Sequence, residues 1–313
     1  METKATTIDI IKEVAPKETK EQPNLFGDLI DNTPQVIADE VVYEKDLSVE
    51  YQNRFNQIIF KDFTEADFNI FFILCAIAKN QRARIIRIGF EQMRMFVEND
   101  KNKKRFYKNV VDFAKKLNSL KAQKSQIDEE GYERFAAYTF FEKIIADEKS
   151  CVLSIKVTES SIELINDLTS HFTAFEVREF CSISNKYAKN LYRLLKQYQA
   201  TGKYIVKYTQ FKELMDIPNK YETCDIDKRI LKPSIIKLAE TSPYTNKPYF
   251  ENLAYEKIKE KASGEKGRGR GGSIERIEFS FAPSMFEKKN KKEKNATKGN
   301  ILPPPPPQLL KLK

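Results

Sequence analysis

The chain has 313 residues, with 54 Lys and Arg against 45 Asp and Glu and a formal charge of +9, a length that fits two ordinary domains with tails and a sign that suits a phosphate-binding surface. Its four cysteines, Cys75, Cys151, Cys181 and Cys224, lack the paired spacing of a zinc site and read as reduced, mostly core thiols, with no metal and no cofactor expected. No apolar run is long enough to cross a bilayer, and the start METKATTIDIIKE lacks the basic-then-apolar order of a secretory signal, so a cytoplasmic protein without a membrane partner is expected.

Residues 1–40 mix Lys, Glu, Thr and Pro with few large apolar side chains and read as a flexible acidic arm. Residues 1–45 hold 10 acidic and 5 basic side chains, leaving the rest with 49 basic against 35 acidic. Within the arm, QPNLF (Gln22, Leu25, Phe26) resembles the short peptides that dock on the bacterial sliding clamp, although Pro23 stands where those peptides usually carry Leu. An unstructured arm without that role is the favoured reading, because five-residue matches arise often by chance.

The next stretch follows helix, strand, helix, helix, hairpin. Thr64 is placed to cap a helix with Asp67 three residues on, and Phe68, Phe71, Phe72, Cys75 and Ala78 form its apolar stripe. Arg84–Ile88 alternates as a strand and Phe90–Val97 reads as a short helix. Lys103–Leu120 predicts a helix with Phe106, Val110, Phe113, Leu117 and Leu120 on one face. Runs Arg134–Ile145 and Cys151–Val157 are expected to pair as a hairpin. Lys103, Lys104, Arg105 and Lys108 crowd the third helix's start, where cations oppose the macrodipole unless an anion is near. A phosphate contact and a merely solvated helix start are equally good readings of them.

A second stretch repeats the order. Thr173 is expected to cap a helix reaching Cys181, followed by a longer helix Ser184–Gln199 that Gly202 ends. Strand Tyr204–Val206 leads into a helix Thr209–Met215, stopped at Pro218. A further helix starting at Asp225 or Asp227 places Ile226, Ile230, Ile235 and Leu238 inward and Lys228, Arg229, Lys232 and Lys237 outward. Pro233 should bend or restart that helix, since its ring removes the hydrogen bond to the Arg229 carbonyl. Strands Phe250–Ile258 and Ile274–Phe281 flank a Gly-rich loop with Lys266, Arg268 and Arg270, which reads as a wing aimed at phosphates or a narrow groove. A basic helix face alone is usually solvated surface, but beside such a wing it points to double-stranded DNA. Beyond residue 284, KKNKKEKN and Pro303–Pro307 form a basic, proline-rich tail.

Enzymatic readings fare poorly. There is no G-x-x-x-x-G-K-[ST] loop, and the glycines near Gly267 lie between strands without a following helix, so no ATPase site is expected. A nickase with paired metal-binding histidines cannot be assembled from the single histidine, His171. The fold class expected is α+β, two tandem winged-helix domains with tails, and no enzyme activity is expected.

Three blocks carry a family resemblance: FTAFEVREFCSISNKYAKNLYRLLKQYQATGKY from Phe172, IPNKYETCDIDKRILKP ending at Pro233, and GRGRGGSIERIEFSF ending at Phe281. In that order they resemble the second winged-helix domain of the RepB-type initiators of theta-replicating plasmids. The resemblance implies a first domain over 41–168, for dimerisation and backbone contact, and a second over 169–283 that reads the major groove. The arm 1–40 and the tail 284–313 would flank them. It implies binding to direct repeats, called iterons, at a plasmid origin, opening of an AT-rich tract, and recruitment of host replication proteins. Those would be a helicase or its loader and the host initiator, the sliding clamp entering only through the QPNLF peptide of the arm. It further implies a monomer–dimer equilibrium and repression of the protein's own promoter. Carried onto this chain, Lys228, Arg229 and Lys232 would lie in the groove, with Arg268 and Arg270 in the wing and Lys186 and Lys189 near the DNA backbone. A winged-helix transcriptional repressor shares nearly all these features and stays an alternative.

Overall fold

The computed structural model describes residues 35–37, 47–81, 85–94, 102–127, 129–166, 172–259 and 273–284. Its first half runs β1 Gln35–Ile37, β2 Ser48–Gln52, a 3₁₀ turn Asn53–Gln57, α1 Glu65–Gln81, β3 Ile85–Gly89, α2 Phe90–Arg94 and α3 Lys103–Ser119. It continues with β4 Lys121–Ile127, β5 Glu133–Thr139, β6 Phe141–Asp147, β7 Val152–Val157 and α4 Glu159–Asn166. Then follow β8 Phe172–Glu176, α5 Val177–Ser182, α6 Lys186–Lys196, β9 Lys203–Lys207 and α7 Tyr208–Leu214. The last elements are α8 Thr223–Ile226, a π turn Asp227–Leu231, α9 Lys232–Ala239, β10 Ala254–Lys259 and β11 Ile274–Ser280.

The capping box predicted at Thr64 is present: its N–H donates to Asp67 Oδ2 at 2.8 Å, and the Asp67 N–H donates back to Thr64 Oγ1 at 3.3 Å. That box starts α1, which buries the predicted stripe from Phe68 to Ala78. Helix α3 buries Phe106, Val110, Phe113 and Leu117 as its spacing requires, and with α2 it forms the first half's helix-turn-helix. Behind these helices lies a sheet in the order β1-β3-β7-β6, with β1 parallel to β3 and the other pairs antiparallel.

Two expectations need correction here. The run Arg134–Ile145 is two strands, because the chain breaks at buried Phe140: β5 pairs with β4 and only β6 pairs with β7. The expected helix from Thr173 is instead the strand β8, antiparallel to β2 with Tyr51 opposite Thr173. The Thr173 hydroxyl donates to Asn53 Oδ1 at 2.8 Å, so it is spent on a distant loop rather than on a cap. Helix α5 begins only at Val177, and Phe72 of α1 meets Phe180 at 4.8 Å and Phe175 at 5.4 Å between ring centres. The aromatic core thus ties this segment to the first helix.

The second sheet has the order β10-β11-β9. Gly202 ends the preceding helical stretch with φ +66°, and a Cβ there would stand 2.4 Å from the Phe281 carbonyl oxygen. Only glycine lets the end of β11 approach so closely. At Pro233 the anticipated irregularity takes the form of the π turn, in which the Lys232 N–H donates to the Asp227 carbonyl. A wider turn makes room for the proline ring against the Arg229 carbonyl. All four thiols are free, but the expectation of mostly core cysteines holds for buried Cys75 and partly buried Cys181 and not for exposed Cys151 and Cys224.

Candidate nucleic-acid interface

Helices α7 and α8 to α9 form the helix-turn-helix of the second half. Glu222 and Asp225 close a capping box on α8. Ile226, Ile230, Leu231 and Leu238 turn inward, while Lys228, Arg229 and Lys232 are exposed along the outer face. Arg229 Nε lies 3.2 Å from Asp225 Oδ1, and its guanidinium stands 5.4 Å from the Tyr221 ring centre. Those two neighbours hold the side chain on a surface that leaves it 63% exposed, fit for a bidentate approach to a base edge. Lys237 is turned aside, ion-paired to Glu240 at 2.6 Å.

The wing strands brace this helix. Tyr255 on β10 donates its hydroxyl to Asp227 Oδ1 at 2.9 Å, and Lys257 on the same strand pairs with that oxygen at 2.7 Å. Burial, then the bond to Asp227, pushes the Tyr255 hydroxyl up to about 12. The wing residues Lys266, Arg268 and Arg270 lie outside the described residues, as do Gln22, Leu25, Phe26 and His171.

The sequence reading missed two further cations on this sheet. Exposed Arg276 on β11 is directly opposite exposed Lys207 on β9, and Glu278 on the same strand as Arg276 offsets the like charges, Arg276 Nε to Glu278 Oε1 at 3.1 Å. The period-two alternation of KYIVK and IERIEFS was the available signal.

Helix α6 corrects the assignment of Lys189 to the DNA backbone. Lys189 is fully buried, and its ammonium donates to the Phe180 carbonyl at 2.7 Å and the Cys181 carbonyl at 3.2 Å, capping the end of α5. Burial lowers its pKa to about 8. Lys186 stays partly exposed, its ammonium 4.9 Å from the Tyr187 ring centre. One turn on, Arg193 is also fully buried: it donates to the Asn56 carbonyl at 3.1 Å, the Ile58 carbonyl at 3.0 Å and Asn190 Oδ1 at 2.7 Å. Asn190 in turn donates to the Leu214 carbonyl at the end of α7 at 2.7 Å. A chain of buried polar groups therefore runs from the first half through α6 to the second helix-turn-helix.

In the first half, Lys103, Lys104, Arg105 and Lys108 are all exposed on the first two turns of α3, where Asn102 Oδ1 caps the Arg105 N–H at 3.2 Å and the first turn has no acidic residue. The structure brings these four together at one helix start. Among the described residues no group of three or more His, Cys, Asp or Glu is placed to hold a metal, and no helix is long and apolar enough to cross a membrane.

Two family models match the chain: "Initiator Replication protein, WH1" over residues 48–196 and "Initiator Rep protein, WH2" over residues 207–281. A curated "Probable replication protein rep" of Bifidobacterium longum (strain NCC 2705) is 27% identical over 191 residues, which is 60% of this chain. The match spans 63% of that relative's length. Among solved structures, the Pi initiator protein in complex with iteron DNA superposes with a TM-score of 0.53 at 15% identity, over 77% of this chain and 99% of that one. That likeness extends the two-domain winged-helix fold across both halves.

Proposed function

The chain belongs to the initiator replication protein family, and from that premise we propose that it starts plasmid replication by binding direct repeats in double-stranded origin DNA. The observation that carries the proposal is the basic outer face of α8 to α9, with Lys228, Arg229 and Lys232 exposed and braced against a wing strand through Asp227. Phosphate contacts position the two halves along one face of the duplex, and base-edge contacts in the major groove choose the repeat. In this reading Lys103, Lys104, Arg105 and Lys108 lie on backbone phosphates, Lys266, Arg268 and Arg270 follow the groove from the wing, and Lys186 supports the backbone contact. Strain from binding two halves to one site assists opening of an adjacent AT-rich tract.

The work is binding without covalent chemistry. A monomer–dimer equilibrium through the first half, host replication proteins recruited to the opened tract, and action in the bacterial cytoplasm complete the proposal. To test it, the gene and its flanking DNA are placed on a plasmid that lacks another origin. Autonomous replication that is lost in K228E/R229E/K232E, with folding retained, is expected. Promoter repression without any replication would transfer the chain to the alternative, a winged-helix repressor.

A further inference from the structure

From Cys224 to Ile236 one row of exposed positions recurs every fourth residue, Cys224, Lys228, Lys232 and Ile236, with exposed Arg229 beside it. A buried row runs beside it at Ile226, Ile230, Ser234 and Leu238, with Leu231 also buried. An unbroken α-helix turns by about 100° per residue, so twelve residues would carry Ile236 about 120° away from Cys224. The π turn Asp227–Leu231 takes up one extra residue. That removes about 100° of rotation and returns Ile236 to within about 20° of the row. The irregularity that Pro233 demands therefore swings the next turn so that an isoleucine continues the lysine row.

Ile236 is 66% exposed, whereas its neighbour Ile235 packs partly against the core. A lone exposed isoleucine on a solvated helix is ordinary. This one extends the basic face that would lie in the groove, where thymine is the base that offers a methyl group. We propose that Ile236 packs on the C5 methyl of a thymine in the bound repeat and so discriminates thymine from cytosine at that position. The proposal rests on the reading of α8 to α9 as the groove-contacting helix. Lysines at Lys228 and Lys232 would fasten the row, and Ile236 would supply the apolar discrimination that they lack.

Deoxyuridine pairs as thymine does but has no C5 methyl, so uracil interference isolates this contact. Repeat-bearing DNA from beside the gene, with deoxyuridine replacing thymine at random, is partitioned by the wild-type full chain and by I236A, whose melting temperature is first matched to wild type. The expected result is about a three- to fivefold loss of wild-type binding at one thymine per repeat, the size of one buried methyl. In I236A that sensitivity disappears, and I236V keeps part of it. Repeat binding with the same uracil pattern in both proteins, or with no uracil sensitivity at all, would overturn the inference while leaving the initiator reading intact. Failure of the wild-type chain to select repeat DNA would overturn the reading beneath it, and this proposal with it.

Discussion

Tyr255 on strand β10 donates its hydroxyl to Asp227 in the π turn at 2.9 Å, which ties the α8 to α9 segment to the second sheet. Asp227 also pairs with Lys257, whose side chain is 13% exposed. Substituting D227A strips both of their acceptor and leaves a largely buried ammonium without its anion. A loss on the order of 1–3 kcal/mol is expected in denaturant unfolding. The ratio of repeat to random-DNA affinity should fall further than the affinity for random DNA itself. A variant that unfolds earlier but keeps the full ratio would show that the brace serves stability alone.

Arg229 and the two lysines should separate by what they read. R229A is expected to cost about 1–3 kcal/mol on the preferred repeat and to relax selection at one base position. K228A and K232A should weaken all sequences alike, each lowering the slope of log affinity against log salt by about 1. Competition binding at several salt concentrations distinguishes these patterns. Equal losses on repeat and random DNA for all three variants would remove the division of labour.

Arg193 has no carboxylate partner in its described contacts and answers instead to the Asn56 and Ile58 carbonyls and to Asn190. Burial pulls its guanidinium down to about 10. R193M would orphan two carbonyls and uncouple α6 from the first half, a loss of at least about 3 kcal/mol. R193K should rescue little, because an ammonium cannot reproduce the planar fork. Chemical unfolding monitored separately in the two halves would read both the cost and the uncoupling.

Lys189 gives a pH signature. Its pKa in the fold is about 8 against the ordinary lysine value of 10.5, so between those values the unfolded chain holds a proton that the folded chain has released. Stability due to this group is at its minimum below pH 8 and rises with pH from there to the unfolded pKa. Relative to K189M, the wild-type chain should gain about 1.5 kcal/mol from pH 8 to pH 9.5. A difference that stays flat across that window would mean the ammonium is solvated.

What the sequence made legible was local. The Thr64 and Asp67 box, the stripe from Phe106 to Leu117, the stop at Gly202 and the disturbance at Pro233 each act within a few residues, so spacing alone exposes them. What it concealed depends on partners far along the chain. Thr173 looks like a cap until Asn53 takes its hydroxyl, and β8 becomes a strand because β2 lies beside it. Lys189 and Arg193 look like surface cations on an amphipathic helix. Only the packing of α6 between the two halves shows them as buried donors to carbonyls of Phe180 and Cys181 on one side and Asn56 and Ile58 on the other.

The most direct test of the central claim is a nuclease footprint of the purified full chain on the DNA flanking its gene, at two salt concentrations with excess random competitor. Evenly spaced protection of several direct repeats, surviving competitor and lost in K228E/R229E/K232E, is the predicted result. Protection confined to a promoter palindrome, or none that outlasts competitor, would contradict it.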